Sequence, residues 1–363
     1  MGYTTAAFDN LMNLASRPKH FVRGYEFYIN CGVDAFDRQH WLMAEQLNRR
    51  LIPWIRSYSD EKFFLFVHYW DPHLPYIQPK KYREIFHHEK GNLTDLRVLE
   101  APAGYEYVPG WGKVGEFADG DVAAPYGPHP TVNIDLYDGE IAYMDSAIGD
   151  VIEALEDNGV LEETLLILTS DHGEQLGQHG LSNYGWEHDG LHDAVTHVPL
   201  IMRYPKKLAK GVRIKGFCQH IDILPTILDL LDVRTDILEI DGKSVIPLLK
   251  GEKIRDRIFM ESSGGQRAIR TDEWKLIADE WTQRPHRELE LYNVKDDPME
   301  MINLAKTEKK KVQELREALH GWVRANLKEG ETDLVIYEDW KQLNMRGLEY
   351  QQKITRFLES LKS

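Results

Sequence analysis

The chain has 363 residues, which is enough to bury the core of one large α/β domain or of two domains. Its net charge of −15 argues against a nucleic-acid partner or an anionic membrane surface, and no apolar run reaches the roughly 20 residues that a membrane-spanning helix needs. Only two cysteines and no signal-peptide pattern at the first residues exclude a disulfide framework and predict a cytoplasmic protein.

The first strong elements are a helix and an aromatic strand. Residues 44–57 predict an amphipathic helix, stopped or kinked at Pro53, and residues 63–70 predict a buried strand. His73 follows in a turn stiffened by prolines, where it could donate a hydrogen bond to an anionic substrate or protonate a leaving group. His68 lies inside the strand, which favours a core histidine.

The most informative segment comes next. Residues 135–157 predict a helix, and the apolar strand that begins at Leu165 ends abruptly in Asp171 and His172. A carboxylate and an imidazole at the carboxyl end of a buried strand suit a divalent cation. The alternative interpretation is an aspartate that caps the next turn beside a surface histidine.

Further histidines follow at His188 and His192. Their spacing of four would place both imidazoles on one face of a helix, as in some zinc sites, but Gly190 between them also fits a polar turn. Residues 198–202 predict a short buried strand, and residues 221–231 predict a helix that Asp222 could cap.

After Gly251 the pattern changes to short strands separated by polar turns, which predicts a small antiparallel sheet. Two helices close the chain, near residues 312–322 and 350–361. We therefore expect an α/β fold with a central mixed sheet flanked by helices in residues 1–250, and a smaller α+β subdomain in residues 251–363.

Several segments, in this order, are similar to the sulfatase family of the alkaline phosphatase superfamily. They are FFLFVHYWDPHLPY (63–76), IAYMDSAIGDVIEAL (141–155), LTSDHGEQLGQHG (168–180), HDGLHDAVTHVPLI (188–201), HIDILPTILDLL (220–231) and ELYNVKDDPMEMINLA (290–305). Together these motifs are specific, although each one alone is not.

The resemblance implies a metal-dependent hydrolase of small-molecule or glycan sulfate esters. Asp171 and His172 would ligate the cation, which we expect to be calcium. Because many members have Asn where His172 stands, manganese, magnesium and zinc stay open. His73 and His188 would contact the sulfate or the leaving oxygen and act as catalytic residues.

The resemblance also implies a nucleophile that this chain does not contain. Sulfatases carry paired acidic ligands and then a Cys/Ser-x-Pro/Ala-x-Arg motif whose first residue becomes formylglycine, and no such motif occurs in the sequence. We expect a chain that lacks the first part of the family fold and is inactive as it stands. A missing central strand would leave a sheet edge or an apolar face exposed.

Two alternatives remain open at this point. A phosphate or phosphonate ester hydrolase, or a mutase, of the same superfamily would take extra metal ligands from His188, His192 and Asp193. A catalytically dead binding protein would use the same residues without turnover. The sequence leaves the oligomeric state undetermined.

Overall fold

The computed structural model describes residues 2–9, 22–30, 43–73, 76, 78–86, 107–108, 112–113, 130–176, 190–233, 240–262, 265–279 and 289–327. Two compact units make up the chain, the first from residues 1–185 and 199–210 and the second from residues 186–198 and 211–363. The boundary predicted near residue 250 lies inside the second unit. Among the helices described, none has the length and apolar character of a membrane span.

The elements of the first unit are, in chain order, β1 (Thr4–Asp9), β2 (Phe27–Asn30), α1 (Ala44–Tyr58), β3 (Phe63–His68), α2 (Lys80–Arg83), β4 (Tyr107–Val108), β5 (Gly112–Lys113), α3 (Pro130–Asp157), β6 (Leu166–Thr169) and, beyond residue 198, β7 (Leu200–Arg203). Strands β2, β1 and β3 form a parallel sheet with β1 in the middle. Two antiparallel pairs accompany it, β4 with β5 and β6 with β7.

One apolar core joins the sheet to the long helices. Phe8 of β1 packs with Leu47 and Trp54 of α1, and Leu155 of α3 belongs to the same buried cluster. The indole of Trp54 lies 6.0 Å from the Phe8 ring in an edge-to-face arrangement. Because this apolar stripe is buried along its whole length, α1 continues past Pro53 to Tyr58.

The opposite face of β3 is open to solvent. Phe64 and Phe66, which alternate with the core-facing residues, are 46% and 43% exposed. The strand predicted at residues 63–70 thus forms as β3, but the prediction that it is buried holds for only one of its faces. The strand predicted at residues 198–202 forms as β7, but the prediction that it is buried is wrong, because Ile201 is 58% exposed.

The elements of the second unit are α4 (Asp193–Thr196), a 3₁₀ turn (His220–Asp222), α5 (Ile223–Leu230), a second 3₁₀ turn (Ile246–Lys250), β8 (Arg257–Glu261), β9 (Arg267–Thr271), β10 (Trp274–Ala278), β11 (Glu290–Asn293) and α6 (Lys309–Asn326). Strands β8 to β11 form a four-stranded antiparallel meander, as predicted. Leu315 and Leu319 of α6 are buried with residues of this sheet. The helix predicted near residues 350–361 lies outside the described residues.

Candidate active site

The turn after β6 carries Asp171 and His172. The backbone N–H of His172 donates to Asp171 Oδ1 at 3.0 Å, and His172 Nδ1 lies 2.8 Å from the carbonyl oxygen of Gly173. Since a carbonyl oxygen only accepts, Nδ1 is the donor, and in the neutral imidazole Nε2 is then the nitrogen with the lone pair. Histidines that ligate metals usually have their other ring nitrogen held by such a bond.

These two side chains fit part of a cation site. His172 Nε2 lies 3.8 Å from Asp171 Oδ2, so a single ion at about 2.3–2.6 Å from each donor could contact both. The Asp171 side chain is 77% exposed, which leaves the pair accessible from solvent. Within the described part of the chain no third acidic, histidine or cysteine side chain completes the group, so further ligands would have to come from elsewhere.

His73 approaches the same turn from the end of β3. Its backbone N–H donates to the carbonyl oxygen of Trp70 at 2.8 Å, and its ring lies 4.1 Å from the Trp70 ring. The His73 and His172 rings are 6.2 Å apart, centroid to centroid, and cross at 75°. Two side chains that are 99 positions apart in the sequence therefore meet beyond the carboxyl ends of β3 and β6.

A buried carboxyl lies beside this turn. Glu174 is buried, and burial in the first place, with the nearby Asp171 charge in the second, raises its pKa to about 8. Its carboxyl is consequently neutral at pH 7, and Asp171 provides the negative charge of the turn.

The other two predicted histidines are His188 and His192. His188 lies outside the described residues. His192 belongs to the second unit, where its Nε2 lies 2.8 Å from Glu290 Oε2 and the Tyr292 hydroxyl donates to the same oxygen. This buried imidazole is thus engaged by a carboxylate of β11.

Asp193 is likewise taken up by ion pairs of the second unit. Its carboxylate contacts Lys275 Nζ at 2.8 Å and the Arg270 guanidinium at 3.0 Å. Burial alone would raise the pKa of Asp193, but the charges of Lys275 and then Arg270 lower it to about 2. Lys275 also contacts Glu300 Oε1 at 2.7 Å, which completes a buried charge network.

Sequence reasoning missed Asp9, a fully buried carboxylate at the carboxyl end of β1. Asp9 Oδ1 lies 2.8 Å from His68 Nδ1, and Asp9 Oδ2 accepts a hydrogen bond from the Tyr28 hydroxyl at 2.8 Å. His68 is therefore a histidine whose ring is hydrogen-bonded within the fold, as predicted, although its side chain is only partly buried. The signal was present in the sequence, because β1 is an apolar run that ends in an aspartate, as does the segment before Asp171.

Two family models match the chain. The model named Sulfatase matches residues 2–233, and the model named N-sulphoglucosamine sulphohydrolase, C-terminal, matches residues 177–328. The two matches together span most of the chain and overlap in the histidine segment after β6.

Individual relatives of the chain include proteins named sulfatases. The uncharacterized sulfatase YidJ of Escherichia coli is 30% identical over 273 residues, covering 72% of this chain and 51% of that protein. Human iduronate 2-sulfatase is 30% identical over 241 residues, covering 61% of this chain and 42% of the enzyme. The chain thus spans about half the length of the curated relatives it matches.

Solved structures share the fold. BT4656, in complex with its substrate D-glucosamine-2-N,6-O-disulfate, has a TM-score of 0.68 at 19% identity, covering 91% of this chain and 82% of that chain. A phosphonate monoester hydrolase of Agrobacterium radiobacter has a TM-score of 0.64 at 20% identity, covering 90% and 78%. With a family model matching well over half of its residues, the chain belongs to the sulfatase family of the alkaline phosphatase superfamily.

Proposed function

We propose that the chain forms part of a metal-dependent hydrolase of sulfate esters. The observation that carries this proposal is the approach of His73 to His172, with Asp171 beside them at the carboxyl ends of two strands. Imidazoles beside a cation site suit an anionic ester. The cation can offset the negative charge of the sulfate, and an imidazole can offset the charge that develops on the leaving oxygen.

Each residue has a defined role in this proposal. Asp171 Oδ2 and His172 Nε2 would hold a divalent cation, calcium in the first instance. A bound cation supplies positive charge that polarises the sulfate. His73 would donate a hydrogen bond to the sulfate or a proton to the leaving oxygen. A role for His188 in catalysis stays a prediction from the sequence.

A sulfated small molecule or glycan is the substrate class that we favour. The relatives include proteins named sulfatases, and BT4656 is bound to a sulfated amino sugar. A second metal ion, as the phosphate or phosphonate alternative requires, has little support, since His192 is engaged by Glu290 and Asp193 by Lys275. Binding of a sulfated ligand without turnover would use the same contacts.

Calorimetry on the full chain tests the cation site. Because Asp171 and His172 supply only two of the roughly six to eight ligands that calcium takes, we expect one weakly bound calcium ion per chain. Asp171→Asn, which removes the charge but keeps the shape, should weaken that binding further. The matched control is Asp60→Asn, an exposed aspartate outside the site. Tight binding of two zinc or manganese ions would favour the phosphate alternative, and unchanged affinity in Asp171→Asn would refute the site.

A chromogenic aryl sulfate tests turnover. Because the sequence contains no formylglycine motif, we expect no hydrolysis by this chain with added calcium. Clear activity that His73→Ala abolishes would show that another group provides the nucleophile.

A further inference from the structure

Residues 71–82, the segment that carries His73, contact helix α3 through their described members. Tyr76 is buried against Leu136, and its ring lies 6.0 Å from the Tyr137 ring. Gln78 Nε2 donates to the carbonyl oxygen of Leu136 at 2.7 Å. The helix thus provides the surface against which the chain returns after His73.

Glu140 of α3 contacts this segment on both sides of His73. It is buried, and its Oε1 accepts the backbone N–H of Gln78 at 2.9 Å. Its carboxyl also hydrogen-bonds the side chain of Asp71, which in turn accepts the N–H of Ala44 at the start of α1. The Glu140 side chain is therefore hydrogen-bonded to Asp71, two residues before His73, and to Gln78, five residues after it.

Asp71, the second buried carboxyl, has a raised pKa. Burial raises the pKa of Asp71 to about 6, and the hydrogen bonds from backbone N–H groups and from Glu140 limit that rise. A bond between two carboxyls needs one O–H, so one of the two carboxyls is protonated while that bond is made.

Close packing fixes the distance between the helix and the segment. A Cβ added at Gly139 would lie 2.7 Å from Gln78 Nε2 and 2.9 Å from the carbonyl oxygen of Tyr82. Because Tyr82 O is a backbone atom, the segment would have to move as a whole.

We propose that Glu140 is a positioning residue for His73, holding the imidazole against the turn of Asp171 and His172 through its bonds to Asp71 and Gln78. The inference rests on the proposed function in so far as His73 contacts the sulfate. Glu140 itself touches neither the substrate nor the cation.

A matched pair of variants tests this role in the full chain. Glu140→Gln keeps one donor and one acceptor in nearly the same shape, whereas Glu140→Met has a similar volume and makes no hydrogen bond. The readout is the ring ¹³Cε1–¹H resonance of His73 in histidine-labelled protein, assigned with His73→Gln. Inorganic sulfate is then titrated in the presence of calcium, with chloride at equal ionic strength as the control.

We expect Glu140→Gln to keep the wild-type resonance and sulfate affinity. Glu140→Met should shift and broaden the His73 resonance and weaken sulfate binding roughly tenfold, because small displacements of a contacting group are costly. A wild-type resonance in Glu140→Met, or an equal loss in both variants, overturns the positioning role. If sulfate leaves the wild-type His73 resonance unmoved while Glu140→Met still shifts it, the sulfate site fails and the positioning role stands.

A second pair keeps the test decisive if Glu140→Met does not fold. Gly139→Ala pushes the segment away from α3 and leaves both carboxyls in place, so it should also shift the His73 resonance. Gly149→Ala on the same helix is the control, since its Cβ would meet no atom within 4 Å. Identical His73 resonances in the two variants would argue that the contact between α3 and the segment does not position the imidazole.

Discussion

Lys275→Met should destabilise the second unit strongly. The Lys275 side chain is fully buried, with Nζ at 2.8 Å from Asp193 Oδ1 and 2.7 Å from Glu300 Oε1. Asp193 keeps Arg270 as a partner after the substitution, but the buried Glu300 carboxylate loses its cation. Removing one partner of a buried ion pair costs about 3–5 kcal/mol, because the remaining charge stays out of water.

The structure divides this cost between the two carboxylates. The pKa of Asp193 is lowered from 3.8 to about 2, a net effect of about 2–3 kcal/mol that remains after burial has opposed it. The attraction of Lys275 and Arg270 together therefore exceeds that amount, and Lys275 is the larger of the two charge effects. The stabilisation at Asp193 is present above pH 4 and is lost as the pH falls towards 2.

The assay is urea unfolding at pH 7.5, followed by amide hydrogen exchange of residues 193–196 and 275–277. Lys275→Met with Glu300→Gln should recover much of the lost stability, since glutamine carries no charge to bury. The control Lys253→Met removes an exposed partner of Asp272 and should leave unfolding near the wild-type midpoint. A loss below about 1 kcal/mol in Lys275→Met, or no recovery in the double variant, refutes this reasoning.

Two other predictions concern the backbone and a buried acid. The free energy of unfolding of Asp71→Asn should rise above that of the wild type as the pH rises from 4 to 6, by up to about 3 kcal/mol at pH 7.5. The reason is that the raised pKa of Asp71 stabilises the folded wild type only at low pH, where Asp71 is protonated. Urea unfolding at pH 4 and 7.5 checks this, and an equal difference at both pH values contradicts it. Gly242→Ala should unfold the second unit at a much lower temperature, since its Cβ would lie 1.8 Å from the carbonyl oxygen of Ile221. Gly321→Ala in α6 meets no atom within 4 Å and should raise stability by about 0.5–1 kcal/mol, so similar melting temperatures for the two variants would exclude the proposed clash.

Local patterns were sufficient for the sheet of the second unit. Short runs between polar turns predict strands at residues 257–261, 266–271, 274–279 and 288–292. These bounds differ from those of β8 to β11 by two residues or fewer at each end. The turn of Asp171 and His172 could also be predicted, because both residues directly follow an apolar strand.

The buried side of α3 shows where local patterns fail. The helical spacing of Ile141, Met144, Ile148, Val151 and Leu155 predicts the helix, and Leu155 is buried, yet Ile141 is 38% exposed. Tyr143 and the acid Glu140 are buried instead. A carboxyl on a buried helix face depends on partners elsewhere in the chain, here Gln78 and Asp71, which periodicity cannot identify.

Contacts between residues of different strands could not be predicted from the sequence either. Asp9 and His68 are 59 residues apart, and their contact requires β1 and β3 to be parallel neighbours in register. The sequence showed both residues, but only the strand order brings them together.

The path of the chain has a consequence for dissecting the protein. The backbone changes unit after residues 185, 198 and 210, so no single cleavage point yields two separately complete pieces. A product ending at residue 250 would keep Asp193 but lack Lys275 and Arg270. During synthesis on the ribosome, Lys275 is added some eighty residues after Asp193, so this ion pair cannot form earlier. Co-expression of interlocking fragments, rather than halves, is the way to study either unit alone.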